Sequence, residues 1–159
     1  MESLRVMAMR QVVGQLRYEQ LPMVAAELLA EGDDSPALRE LAGCNGREPR
    51  DELEQLWGQA LDELGVQRPG QEEAQRWALR DLAGRLYSGE LDSLAEAVAT
   101  VGGLEYAEGE RESAFCRSVM EGCCEGCVAD GNPEVLAEWE ARVRAAAAAL
   151  VAEGRRVGE

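Results

Sequence analysis

The chain has 159 residues, with 31 acidic side chains against 16 basic ones, all arginine, and a net charge of −15 at neutral pH. It contains no histidine and no lysine. This excludes Ser-His-Asp and Cys-His catalytic systems, histidine-based metal motifs, Schiff-base chemistry and the lysine of a phosphate-binding P-loop. The length suits one domain with a sizeable core.

The first part of the chain carries three predicted helices. A loose apolar stripe over residues 3–18 indicates the first of them. Pro22 is typical of a first helical turn, where its missing N–H is not needed, and this second helix should end at Gly32. Asp34-Ser35-Pro36 places a capping side chain before a proline. It predicts a short helix over residues 37–42.

The clearest helical periodicity lies in residues 51–64. One face of that segment collects its apolar side chains, at Leu53, Leu56, Trp57, Ala60, Leu61 and Leu64. This spacing predicts an amphipathic helix that stops at Gly65. A further helix carries Trp77 on its apolar face and should stop near Gly89, and a shorter one is expected over residues 91–100.

The last third of the chain is typical of a helical hairpin. Its first arm is predicted over residues 108–129. Asn132 is the predicted N-cap of the second arm, which should end at Gly154 and leave a frayed tail. No segment alternates apolar and polar residues as a strand would. We therefore predict an all-α, single-domain multi-helix bundle of about seven or eight helices over residues 1–159, with a helical core (1–101), a C-terminal helical hairpin (104–153) and a tail (154–159).

Four cysteines crowd into twelve residues of the first hairpin arm, at Cys116, Cys123, Cys124 and Cys127. Four thiolates can bind zinc or carry an iron–sulfur cluster, so these four residues are the candidate metal ligands. The spacing matches neither a zinc ribbon nor a ferredoxin. Three of the thiols also share one helix face, where cysteine behaves as a small apolar residue. Core packing is therefore the leading interpretation, with metal binding and redox or disulfide chemistry as alternatives.

The fifth cysteine, Cys44, falls in a predicted turn and is expected to be an exposed spare thiol. A catalytic cysteine needs a base or a positive neighbourhood, and the chain has no histidine to supply one. Adjacent acids such as Asp62-Glu63 point in different directions on a helix, so they do not resemble the facing carboxyls of a glycosidase. We predict no catalytic residue and no bound cofactor.

The charge balance indicates which partners the chain can bind. A net charge of −15 repels phosphate backbones and anionic membranes, which argues against binding to nucleic acid or to a membrane. It favours a basic protein partner, although a purely solubilising role explains the same charge. The longest apolar run is far too short to span a bilayer, and no signal peptide is apparent. A cytoplasmic location is expected.

Two segments resemble parts of small acidic helical proteins of actinobacteria. They are residues 26–43, which include Asp34-Ser35-Pro36-Ala37-Leu38, and residues 86–92, which read Leu86-Tyr87-Ser88-Gly89-Glu90-Leu91-Asp92. The resemblance extends to about residue 100 and leaves out the cysteine-rich arm. It implies a bacterial helical protein and assigns a function to no residue.

Taken together, these patterns favour a non-enzymatic protein-binding module over an enzyme. An immunity-like or antitoxin-like inhibitor of a basic partner fits the charge, since complementary charge speeds the capture of a partner. The alternative is a metal-binding or redox protein that uses the Cys116–Cys127 cluster. A hydrolase that works with carboxylates alone requires a deep cleft lined by inward-facing acids.

Overall fold

A computed structural model describes the backbone of residues 4–91, 94–128 and 132–157, and the side chains of these residues except 123–128 and 155–157. This part of the chain forms eight α-helices, one short 3₁₀ turn and no strand, which confirms the predicted all-α, multi-helix class. The helices are α1 (Leu4–Val12), α2 (Leu21–Glu31), α3 (Pro36–Gly43), α4 (Arg50–Glu63), α5 (Gln71–Ser88), α6 (Leu94–Gly102), α7 (Gly109–Val128) and α8 (Pro133–Val157), and the 3₁₀ turn covers Tyr18–Gln20.

Local capping signals set several of these helix ends as predicted. The Ser35 hydroxyl accepts the backbone N–H of Leu38 at 3.2 Å and caps α3. Gly32 adopts a left-handed φ of 106° after α2, and Gly65 one of 70° after α4. Because only glycine enters that region at no steric cost, these two positions end their helices.

Three predicted helix bounds differ from the structure. The helix expected over residues 3–18 ends at Val12, because the chain turns at Gly14 with φ 75°. The helix expected from residue 91 begins at Leu94, and residues 92–93 lie outside the described part. The second hairpin arm continues past Gly154 to Val157. A glycine inside a helix costs only about 1 kcal/mol, so it does not by itself end one.

The chain divides into two compact units, residues 1–74 and residues 75–159. In the first unit, α2 packs on α3 and α3 packs on α4, around a fully buried Trp57. Its largest buried neighbours are Leu21, Leu28, Leu38, Leu41, Leu53 and Leu61. The predicted assignment of residues 1–101 to one helical core stays a prediction.

In the second unit, α7 and α8 form the predicted C-terminal hairpin around the buried side chains of Phe115, Val119 and Trp139. The Trp139 indole donates to the backbone oxygen of Ser118 at 2.9 Å. A Cβ at Gly122 would overlap the Trp139 ring, so this glycine is what permits the close approach of the two helices. Within the described residues, no helix is both long enough and apolar enough to cross a membrane.

Candidate functional site

Three glutamates gather around Cys44 in the first unit. Glu40 comes from α3, Glu48 from the loop that follows it, and Glu52 from the first turn of α4. The charge of each carboxylate acts on the Cys44 thiol. We call these four residues the Cys44 cluster. Glu40 and Glu52 are exposed, so the cluster presents negative charge to solvent.

The loop between α3 and α4, which carries Cys44 and Glu48, is held by its own hydrogen bonds. The backbone N–H of Asn45 donates to Glu48 Oε1 at 3.0 Å, and the N–H of Arg47 donates to Asn45 Oδ1 at 2.9 Å. Gly46 has φ 79°, and a Cβ there would lie 2.6 Å from the backbone oxygen of Glu19. The loop is therefore packed against the 3₁₀ turn, and it holds Glu48 between the two helices that carry Glu40 and Glu52.

Hydrogen bonding keeps Glu48 in its charged form. The N–H groups of Asn45 and of Glu48 itself are the main causes that lower the pKa of the Glu48 carboxyl, and partial burial opposes them. A carboxylate that accepts backbone N–H bonds prefers to be ionised. The cluster thus keeps this negative charge well below neutral pH.

Cys44 is a free thiol in the loop after α3, as predicted, but it is half-buried, so its predicted exposure is wrong. Its Sγ donates to the backbone oxygen of Glu40 at 3.5 Å, at the end of α3. Burial raises the pKa of the Cys44 thiol, and the charges of Glu48, Glu52 and Glu40 raise it further. The thiolate is the reactive form, so a thiol in this negative field is a poor nucleophile.

Cys116 is half-buried on α7 and packs against the core of the second unit. Burial raises the pKa of its thiol, followed by the nearby charge of Glu112. This environment fits core packing better than thiolate chemistry at Cys116. The side chains of the other predicted ligands, Cys123, Cys124 and Cys127, lie outside the described residues, so the zinc or iron–sulfur interpretation stays a prediction.

No three Cys, Asp or Glu side chains among the described residues are arranged to share a metal ion.

The second unit contains a fully buried carboxylate, Glu112, which the sequence did not predict as a site residue. Arg80 Nε donates to Glu112 Oε1 at 2.8 Å, and Arg76 Nε donates to Oε2 at 3.1 Å. The backbone N–H of Glu108 donates to Oε2 at 2.7 Å. Arg76 also pairs with the Glu108 carboxylate. Both oxygens of Glu112 are therefore fully engaged.

The environment of Glu112 makes it a structural anchor and not a proton donor. Burial raises its pKa, but hydrogen bonds from Arg76, the Glu108 N–H and Arg80 together outweigh burial and leave the pKa lowered. A general acid at neutral pH requires a raised pKa. Glu112 therefore does not supply the inward-facing acid that a carboxylate hydrolase needs.

One signal in the sequence points to this buried anchor. Arg76 and Arg80 are four residues apart on α5, a spacing at which like charges repel on a helix surface. A carboxylate between them removes that cost, so the pair predicts an acidic partner. Nothing in the local pattern, however, tells which of the 31 acidic residues it is.

Comparison with known proteins found no relative of this chain. The chain matches no protein-family model, and neither the curated proteins nor the solved structures contain a significant match.

Proposed function

We propose that the protein is a non-enzymatic protein-binding module whose acidic surface captures a basic partner, in the manner of an immunity protein or antitoxin that inhibits a toxin. The observation that carries this proposal is the Cys44 cluster. Its three carboxylates come from three successive elements of the first unit, and none forms an ion pair with an arginine among the described residues.

Elsewhere in the chain, exposed acids and arginines do pair. Arg39 pairs with Asp34, and Arg85 Nη1 lies 2.8 Å from Glu96 Oε1. Glu40 and Glu52, the two exposed carboxylates of the Cys44 cluster, thus leave their charge available to a partner although the chain has arginines to neutralise it. Like charges that gather without a counter-ion are destabilising, which makes an external cationic partner the natural counterpart.

The ordered loop beneath the Cys44 cluster also favours binding of a partner. Binding is weakened by the ordering of loops and side chains at an interface. The hydrogen bonds within the loop of residues 44–49 order it in advance. A basic partner therefore meets a preformed surface, and complementary charge raises its rate of association.

We place this inhibitor in the cytoplasm of a bacterium, consistent with the resemblance to acidic helical proteins of actinobacteria. A gene for a basic nuclease or another basic toxin next to this one would identify the partner. Inhibition of that toxin by the purified protein would then be measured directly.

The binding proposal is tested by pull-down from host lysate with wild type, the double variant E40Q/E52Q and the control E121Q/E138Q. Each variant removes two exposed charges, but the control removes them from α7 and α8. Glu48 is left in place because it holds its loop.

We expect wild type and the control to retain a basic protein at about 0.05 M salt and to release it near 1 M, where the Debye length is only about 3 Å. E40Q/E52Q should retain little at either salt concentration. Retention of no protein at low salt, or equal retention by both variants, would contradict the proposal.

A further inference from the structure

The first unit contains a cavity of about 590 Å³. It is lined by α1, the segment after it with the 3₁₀ turn, α4, and the segment that leads into the first residue of α5. Its volume lies in the range of small-molecule sites, about 300–1,000 Å³. Three of the arginines of this acidic chain, Arg17, Arg50 and Arg68, line it together with Glu19 and Glu54. Three positive against two negative charges leave the lining with an excess of one positive charge.

The three arginines keep donors available. None of them pairs with a carboxylate among the described residues, whereas Arg5, Arg39, Arg76, Arg80, Arg85 and Arg111 all do. Arg68 Nη2 donates to the backbone oxygen of Glu54 at 3.1 Å. A guanidinium has five N–H donors, so most donors of Arg68 remain free for a ligand.

Arg50 and Tyr18 form a second polar group of the cavity. The Arg50 guanidinium lies 4.4 Å from the centre of the Tyr18 ring, and its Nη2 donates to the Tyr18 hydroxyl at 3.3 Å. The hydroxyl accepts this bond and keeps its own hydrogen, which is free to donate. A guanidinium and a phenol held in this way present two donors to one oxyanion.

Gly58 shows that the position of Arg68 is built into the fold. Gly58 is buried in the middle of α4, and a Cβ there would overlap the Arg68 guanidinium. Glycine inside a helix is unfavourable compared with alanine. Its presence here allows the guanidinium to lie against α4 beside the Glu54 carbonyl.

We propose that this cavity binds a small organic oxyanion, a phosphate or a carboxylate, through Arg68, Arg50 and the Tyr18 hydroxyl. Guanidinium groups match the planar oxygens of both anions. The apolar side chains of Val12 and Leu61 in the lining would contact the carbon part of the ligand. This site is separate from the Cys44 cluster and does not depend on the proposed inhibitor function.

The test uses isothermal titration calorimetry at constant ionic strength with two probes, phenyl phosphate and benzoate, which distinguish a phosphate ligand from a carboxylate ligand. We expect one of them to bind saturably, one per chain, with Kd of about 1 mM or tighter. Saturable binding of neither probe would overturn the proposal.

Two variants and two controls locate the binding. R68Q should weaken binding about tenfold, the loss of one charge-assisted hydrogen bond. R47Q removes the same charge from an exposed residue outside the cavity and should leave Kd unchanged. G58A keeps Arg68 but displaces its guanidinium, so it should weaken binding as R68Q does. G84A, at a helical glycine with open space around it, should have no effect. Equal weakening by R68Q and R47Q would refute the site.

Discussion

Replacement of Glu112 by glutamine tests the buried anchor of the second unit. The carboxylate is fully buried and accepts from both arginines and from a backbone N–H. Glutamine has the same shape, but it removes the charge and turns an NH₂ group toward a guanidinium. Breaking a buried ion pair from one side costs about 3–5 kcal/mol. Arg76 and Arg80 are 31% and 40% exposed, so they can regain water. We therefore expect E112Q to lower the free energy of unfolding by about 3 kcal/mol, the lower end of that range.

The assay is urea and thermal unfolding of E112Q and of E121Q, whose carboxylate is exposed on the same helix. For a chain of this length about 3 kcal/mol corresponds to a fall in Tm of about 6–12 °C. E121Q should remain within about 0.5 kcal/mol of wild type. A fall in the free energy of unfolding of less than about 1 kcal/mol for E112Q would refute the reasoning. The ion pairs of Glu112 with Arg76 and Arg80 would then contribute little to stability.

The pH dependence gives a second readout of the same variant. Folding lowers the pKa of Glu112, so its ionised form stabilises the protein above the ordinary glutamate pKa of about 4.3. That stability is lost as the pH falls through the lower pKa of the folded state. The difference between wild type and E112Q should therefore be full at pH 7 and shrink toward acid pH. A difference that does not depend on pH would contradict an ionised Glu112.

Three further tests address separate parts of the fold. G122A places a Cβ where the Trp139 ring lies and should lower the free energy of unfolding by about 2 kcal/mol. The control G84A has open space for its Cβ and should raise the free energy of unfolding by about 0.5–1 kcal/mol. Urea unfolding measures both variants, and similar effects of the two would refute the contact between Gly122 and Trp139. S35A removes the cap of α3 and should cost about 1 kcal/mol by the same measurement. Because the pKa of the Cys44 thiol is raised, Cys44 should react slowly with a thiol reagent at pH 8, as followed by peptide mass spectrometry. It should react faster in E40Q/E52Q, where two of the negative charges are gone. An unchanged rate would show that these carboxylates do not slow the reaction.

The candidate sites were only partly predictable from the sequence. The charge balance suggested a basic partner but gave no location, because acidic residues occur throughout the chain. The Cys44 cluster arises where the turn after α3 brings Glu40, Glu48 and Glu52 to one thiol. Sequence spacing predicted a turn there but not its packing against the backbone of Glu19.

Local chemistry in the sequence determined the helical class and several helix ends. The apolar spacing of α4, the Ser35 cap and the left-handed glycines at positions 32 and 65 act within a few residues, so they can be read without a fold. Tertiary structure decided the pairing of Glu112 with Arg76 and Arg80, more than thirty residues away along the chain, and the contact of Trp139 with Gly122. A buried carboxylate is stable only when it is paired with positive charge. Which arginines pair with it depends on how the helices pack, and local sequence does not show this.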